Sequence, residues 1–415
     1  MIKRFFLPLF VLFSLATSAQ QGTASPYSFY GIGDVKFKGV VENRLMGGVS
    51  VFPDSIHINL QNPASYSSLK LTTFTVGSSF SSGKYTTYQG EEKAQRTTLD
   101  YLAVGVPINK KLGAVFGLLP YSSVGYRVRT QSEEGAILKY SGSGGLNKVF
   151  LGAAYKFTPN LSVGLDAAYN FGEIRTIGMN YLPGLEYGTQ EINKSDLSGF
   201  SFNLGAMYKR KIKNKYDFYG SLAYTPQSNL KLNNERYFGT IYYIENYDPP
   251  FNEFLDVRTS TNTIKMPSKF SAGAGFGQDK KWLIGTEVVL QQSSNFGNRF
   301  NDIANASYEN GVKYSFGGYY IPNYMSFSSY FSRVVYRAGF RYENTGLVVN
   351  DEKIKDYAFT GGFGFPLGGT FSNLNIGVEY GRRGTAKANL VEENYTNVFI
   401  SLSLNDQWFI RRKYD

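Results

Sequence analysis

Three arginines at intervals of four residues, Arg333, Arg337 and Arg341, form the clearest chemical pattern in the 415-residue sequence. Residues four apart on a strand share one face, here the face opposite the strand's aromatic residues. Glu287 and Glu379 occupy the corresponding faces of their own predicted strands. A guanidinium can bind a carboxylate through two parallel hydrogen bonds, so these residues could bind a ligand. The alternative, which we favour, is an internal ion-pair network that holds the N-terminal segment in place.

Pro120 is unusual because it lies in the middle of a strand-like stretch, Leu118-Leu119-Pro120-Tyr121. Proline cannot donate a backbone hydrogen bond, and it is normally excluded from strand interiors. We interpret it as a break in strand pairing, through which an apolar molecule could leave sideways. The alternative is that two separate strands meet there at a turn.

Enzymatic chemistry has little support in the sequence. The chain has one histidine, His57, and no cysteine. A serine–histidine site would depend on that single imidazole, and a zinc site would lack ligands. We therefore predict no catalytic residue, no metal site and no cofactor.

The elements that must position these residues are strands. In the last stretch, residues 394–409, apolar residues alternate with mostly polar ones, as in a strand with one apolar face. The apolar positions there are Thr396, Val398, Ile400, Leu402 and Leu404. The same two-residue period recurs along nearly the whole chain. It predicts an all-β fold, a transmembrane antiparallel β-barrel with apolar residues towards lipid and polar residues inside.

Counting by this period gives about fourteen strands. They lie near residues 71–80, 102–108, 112–129, 149–157, 161–171, 200–210, 216–226, 269–276, 282–290, 308–321, 334–342, 357–365, 374–380 and 394–409. The connections alternate between short turns and long loops, the longest loops being predicted at 81–95, 174–197 and 229–264. An even count places both termini on one side, the periplasmic side in a bacterial barrel.

Composition agrees with a barrel. The sequence contains 33 Tyr, 33 Phe and 45 Gly, yet its mean hydropathy is only −0.26, since a barrel shows lipid only half of its strand residues. No apolar run is long enough for a transmembrane helix. The net charge of +11 suits contact with outer-membrane lipid and lipopolysaccharide. Nucleic acid is an unsuitable partner, because the basic residues are scattered and the chain is predicted to be exported.

Four regions are predicted along the chain. Residues 1–19 have the charged start, apolar core and small-residue end of a signal peptide. Residues 20–69 do not alternate but contain enough apolar residues to pack, so we predict a plug, or hatch, in the barrel lumen. A loose periplasmic tail is the alternative for this segment. Residues 70–409 form the barrel, and residues 410–415 a basic periplasmic tail.

Several short motifs resemble the FadL/TodX-type family of outer-membrane transport proteins for fatty acids and other hydrophobic compounds. They are Asn62-Pro63-Ala64, Ser25-Pro26-Tyr27 with Tyr30-Gly31-Ile32-Gly33-Asp34, Gly364-Phe365-Pro366-Leu367, Glu379-Tyr380-Gly381-Arg382-Arg383-Gly384 and Leu404-Asn405-Asp406-Gln407-Trp408-Phe409. The resemblance covers the mature chain and implies a fourteen-stranded barrel, a hatch seated through Asn62, Pro63 and Ala64, and a kinked third strand that opens to the bilayer. None of the family's ligand-binding residues can be matched here.

Two functions follow as expectations. The first is passive uptake of hydrophobic or amphipathic small molecules, such as long-chain fatty acids, past the hatch and through the wall near Pro120. The second is a non-conducting barrel that docks other envelope proteins in a secretion or assembly complex. A continuous apolar path would favour uptake, whereas a lumen crossed by ion pairs would favour the docking role.

Overall fold

The computed structural model describes residues 22–88, 90–132, 135–243, 251–299, 305–368 and 371–408. The predicted signal peptide and basic tail lie outside the described residues, as do Tyr247, Pro249 and Pro250 of the predicted loop 229–264. None of the helices in these ranges is long and apolar enough to cross a membrane.

The described chain is dominated by antiparallel strands. They are β1 Asp34–Val35, β2 Thr72–Thr86, β3 Glu91–Pro107, β4 Leu112–Val124, β5 Arg127–Gln131, β6 Ile137–Lys156, β7 Leu161–Tyr181, β8 Gly188–Ile212, β9 Tyr216–Thr225, β10 Ser228–Ile241, β11 Glu253–Met266, β12 Ser268–Gln278, β13 Trp282–Gln292, β14 Ala306–Tyr308, β15 Gly311–Tyr320, β16 Val335–Val349, β17 Glu352–Pro366, β18 Asn373–Gly384 and β19 Glu392–Asp406. The helical pieces are short: α1 Val41–Arg44 and the 3-10 turns Pro26–Phe29, Pro63–Ser68, Phe331–Arg333 and Lys387–Asn389.

These segments build a closed barrel of fourteen strands. β1 belongs to the hatch and β14 to a connection, while β5, β10 and β12 continue the barrel strands begun by β4, β9 and β11. Each barrel strand pairs with its neighbours in the sequence, and β19 pairs with β2 from Glu392↔Thr86 to Asp406↔Thr72. The predicted fold class and strand count are confirmed.

The two faces of the wall differ as the alternation predicts. On β19, Ile400 and Leu404 are exposed, whereas Ser401, Ser403 and Asn405 between and beside them are buried. Other strands follow the same rule, so apolar side chains cover the outside and small polar ones the inside.

The connections differ from the prediction at the end of the barrel away from the chain termini. Residues 81–95, 174–197 and most of 229–264 are not loops: the strands continue as hairpins, and β7 and β8 reach 21 and 25 residues. A transmembrane strand needs only about 9–11 residues, so β7 and β8 are longer than a bilayer crossing requires. The two-residue period is weaker in these extensions, although the ladder of hydrogen bonds continues and apolar residues such as Ile174, Leu230 and Leu232 are buried there.

The hatch, residues 22–69, lies inside the barrel. Its backbone is mostly irregular, with α1 and two of the 3-10 turns as its only helical pieces among the described residues. Leu45, Val49, Leu60 and Tyr66 are almost completely buried, so the segment packs as part of the core.

Candidate functional site: the hatch and the interrupted wall

An ion pair joins the hatch to the wall near the middle of the lumen. Arg44, the last residue of α1, donates two hydrogen bonds to the Glu379 carboxylate of β18, with Nε–Oε2 and Nη2–Oε1 distances of 3.1 and 2.8 Å. Glu379 is fully buried and also accepts from Asn397. Arg341 lies 3.5 Å from the same carboxylate and donates to Asp356 at 3.0 Å. A buried carboxylate needs this number of donors, since desolvation alone would strongly disfavour its charge.

A second set of contacts surrounds Glu42, also on α1. Its Oε1 accepts from Asn375 at 2.9 Å and from Ser403 at 3.1 Å. Asn375 is held in turn by Arg337, whose Nη1 donates to Asn375 Oδ1 at 2.9 Å. Arg337 therefore acts on the hatch through one intervening amide.

Other wall strands hold the hatch in the same way. Glu287 of β13 accepts from both the backbone N–H and the hydroxyl of Ser50, each at 2.7 Å. Arg383 of β18 donates to Asp34 of β1 at 2.7 Å. Ser25 donates to Glu393 of β19. The hatch is thus attached around the lumen circumference rather than on one side.

The Asn62-Pro63-Ala64 turn is seated on strands β7 to β9. Asn62 caps the turn by accepting from the Ala64 N–H, and its Nδ2 donates to Ser221 Oγ at 2.9 Å and Leu222 O at 3.0 Å. The turn approaches the wall so closely that a Cβ on Gly164 would lie 2.5 Å from the Pro63 carbonyl carbon. Only glycine leaves room for this contact.

The wall is interrupted beside Pro120. The ladder between β3 and β4 runs from Pro107↔Gly113 only as far as Leu102↔Leu118. Beyond it, β4 continues through Pro120 to Val124 and pairs with β6 alone among the described barrel strands. The alternative of two strands meeting at a turn is therefore wrong, because a single strand passes through the proline.

A strand of the hatch occupies this gap. Asp34 and Val35 of β1 pair with Ser123 and Ser122 of β4, and the Lys36 N–H donates to the Tyr121 carbonyl at 2.9 Å. Val35 is 46% exposed, and Asp34, Val35 and Lys36 also line the cavity between the hatch and the wall. A strand edge that faced lipid would need hydrogen-bond partners within the protein. Beyond Leu118, where β3 no longer pairs with β4, β1 supplies partners for the free edge of β4.

A cavity of about 460 Å³ lies between the hatch and the wall. Its lining reaches Leu119, Pro120 and Tyr121 at the interrupted wall and Phe202 and Pro226 on a different part of the wall. Charged and apolar side chains both line it, so it could accommodate a molecule that has both characters.

The sequence matches the BamG family model over residues 1–415. The chain belongs to the BamG family. No curated protein sequence matches it. Among solved structures it is similar to the toluene transporter TodX of Pseudomonas putida (TM-score 0.61, 14% identity, 91% of this chain and 100% of that chain). It is also similar to the toluene transporter TbuX of Ralstonia pickettii (0.57, 13%, 90% and 100%) and to a FadL homologue of Pseudomonas aeruginosa (0.56, 14%, 90% and 98%). The predicted resemblance to the FadL/TodX type is confirmed at the level of the fold.

The five charged residues singled out in this BamG-family sequence do not form one site. Arg341 and Glu379 meet, whereas Glu287 bonds to Ser50 of the hatch. Arg337 bonds to Asn375 of β18, and Arg333 lies outside the strand in the 3-10 turn Phe331–Arg333. The four-residue spacing predicted that Arg333 lies on the same strand as Arg337 and Arg341, but β16 begins only at Val335. Ligand binding by these residues stays a prediction. Arg341 and Glu379 form ion pairs as the alternative expects, whereas Glu287 and Arg337 bond to neutral partners.

Several partners in the network were not predicted from the sequence. Asp356 and Glu393 continue the inward positions of β17 and β19, so extending the alternation by a few residues would have found them. No comparable signal marks Arg44 or Ser50, since the hatch has no period from which an orientation can be derived.

His57, the single histidine of the BamG-family chain, contacts two other residues of the hatch. Its Nδ1 lies 2.7 Å from Asp54 Oδ2, and its Nε2 lies 3.7 Å from Glu42. Burial lowers the pKa of His57, but the neighbouring Asp54 carboxylate outweighs it and raises that pKa above the usual 6.5. Burial raises the pKa of Asp54, and the charged imidazole outweighs it and lowers that pKa to about 2.

Replacing Arg44 by alanine should release the hatch, because it leaves the fully buried Glu379 without its bidentate partner. Breaking a buried pair in this way costs about 3 kcal/mol. We expect faster protease cleavage of the hatch and a lower urea midpoint in detergent. The matched control is Arg258→Ala, since the Arg258–Asp256 pair is exposed and should contribute less than about 1 kcal/mol. Equal protection of the hatch in both variants would contradict the assignment.

The Asp54–His57 pair should stabilise the hatch within a limited pH range. A histidine with a raised pKa stabilises fully below 6.5 and loses this effect as pH rises through its folded value. An aspartate with a lowered pKa stabilises fully above 3.8 and loses this effect as pH falls through about 2. The difference in hatch protection between wild type and His57→Gln should therefore be largest between these limits and shrink at alkaline pH. A difference that grows with pH would contradict this.

Proposed function

We propose that this protein is an outer-membrane channel for passive uptake of hydrophobic or amphipathic small molecules, such as long-chain fatty acids. The observation that carries the proposal is the interrupted ladder at Pro120, which borders the cavity between hatch and wall. Once β1 leaves the gap, an apolar molecule in that cavity could enter the bilayer sideways at Pro120 without crossing the polar end of the barrel. The structural neighbours support this, since TodX and TbuX are toluene transporters.

The cavity supports amphipathic rather than purely apolar molecules. Leu119, Phe150 and Met266 contribute apolar surface, whereas Lys148 and Lys313 contribute cationic groups to the same lining. A molecule with an apolar chain and an anionic head matches both. Membrane insertion, export by a signal peptide and contact with lipopolysaccharide belong to the same proposal.

A second candidate has specific support from the attachment of the hatch. Ion pairs and hydrogen bonds join the hatch to β9, β13, β17, β18 and β19, and β1 fills the gap at Pro120. Such a plug resists displacement, as expected of a closed barrel that docks other envelope proteins in a secretion or assembly complex. The turn between β15 and β16 offers a surface for such a partner, because Met325, Phe327 and Phe331 are strongly exposed there.

Mass spectrometry of molecules that co-purify with the detergent-solubilised protein should distinguish the two functions. For uptake, we expect the wild type to retain a fatty acid or another apolar ligand, and a variant lacking residues 25–66 to lose it. Heat-modifiable mobility on a gel would show that the barrel of the deletion variant is still folded. An empty wild-type barrel recovered with stoichiometric envelope proteins would overturn the uptake proposal and support docking.

A further inference from the structure

A second interruption of the wall lies between β8 and the barrel strand formed by β9 and β10. The β8–β9 ladder ends at Leu204↔Tyr224, and the β8–β10 ladder begins at Ser198↔Lys231. Between them, residues 199–203 and 225–230 have no ladder partner across this seam. The backbones approach again at Gly199, where a Cβ would lie 2.5 Å from the Asn229 carbonyl oxygen. The opening is therefore narrow and bounded at both ends.

One proline lies on the seam itself. Pro226 separates β9 from β10 and has no N–H to donate to β8, so the ladder is not continuous at this level. Pro267, between β11 and β12, lies beside Pro226 on the side away from β8. One side-chain hydrogen bond crosses the seam, from Thr225 Oγ1 to Asn203 Oδ1 at 3.0 Å.

The seam lies between the cavity and the outer face of the barrel. Phe202 is 48% exposed, and it also lines the same cavity as Lys38 and Gln61 of the hatch. Ser201, Thr225 and Pro226 of the seam line that cavity too. At Pro120, in contrast, the hatch strand β1 occupies the gap in the wall.

Resting on the proposed uptake function, we infer that the seam between β8 and β9–β10 is a lateral exit for anionic amphiphiles. Lys38, Lys148 and Lys269 line the cavity behind it. Lys38 pairs with Asp166, while Lys148 and Lys269 form no ion pair within the described residues. The lysines attract an anionic head, and the apolar chain leaves past Phe202 and Pro226 into the bilayer.

The experiment exploits the absence of cysteine from the chain. Asn203→Cys with Thr225→Cys allows the seam to be bridged by a short thiol cross-linker that a reductant removes. The matched control is Leu204→Cys with Tyr224→Cys, an adjacent pair in an intact ladder. Val35→Cys with Ser122→Cys fixes β1 in the gap at Pro120. The probe is decanesulfonate carrying a diazirine, which stays anionic and can be photo-cross-linked to the protein.

Two readouts are measured: uptake of the probe by cells that carry the protein, and photolabelling of residues 199–203 and 225–228 in lipid nanodiscs. Bridging the seam should abolish uptake and labelling, and reduction should restore both, while the control pair changes neither. Loss of uptake only on bridging Val35→Cys with Ser122→Cys would assign the exit to Pro120 and overturn the inference.

The labelling readout separates this inference from the proposed function. If wild-type cells take up no probe but the seam is labelled, and bridging removes the label, the uptake function fails while the seam stands as a binding site for anionic amphiphiles. Absence of both uptake and labelling at the seam would overturn the inference itself.

Discussion

In a barrel wall that faces lipid, as proposed for this protein, every backbone hydrogen-bonding group has to be paired within the protein, and this requirement accounts for most of the architecture. A closed ladder provides this pairing along most of the wall, and the exceptions have to be compensated locally. At Pro120 the compensation comes from the hatch, whose β1 pairs with the free edge of β4. At the β8 seam a side-chain hydrogen bond joins Thr225 to Asn203, and Pro226 has no N–H that needs a partner. The positions where the ladder stops are therefore the positions where function can be located.

Buried charge is the second constraint, and it explains why the hatch is positioned so specifically. A carboxylate such as Glu379 or Glu287 in the lumen would be costly alone, so each is matched by donors on the hatch. The wall and the hatch are consequently complementary, and neither surface would be well solvated without the other. This reciprocity favours one arrangement of an otherwise irregular segment, because any shift would leave several charges unpaired at once.

The fold was predictable from the sequence because a period of two residues directly reports which face of a strand meets lipid. Strand positions, strand number and closure follow from that period, and Pro120 stands out as its one conspicuous violation. The hatch contacts were not predictable, since Arg44 and Ser50 lie in a segment without periodicity. The pairing of β1 was also hidden, as a strand of two residues leaves no pattern. The seam beside Pro226 was missed because the proline falls at the end of a predicted strand, where it is unremarkable.

The firm attachment of the hatch and a transport function are compatible if the hatch does not have to move. A route through Pro120 requires β1 to leave β4, which also strains the Asp34–Arg383 pair. A route past Phe202 crosses only the Thr225–Asn203 hydrogen bond and leaves every ion pair of the hatch intact. In that arrangement the ion-paired residues line the binding cavity and do not move during transport. The ion-pair network that supports a docking role for the barrel therefore does not exclude uptake. The two functions differ in whether a molecule can pass through the wall at the seam.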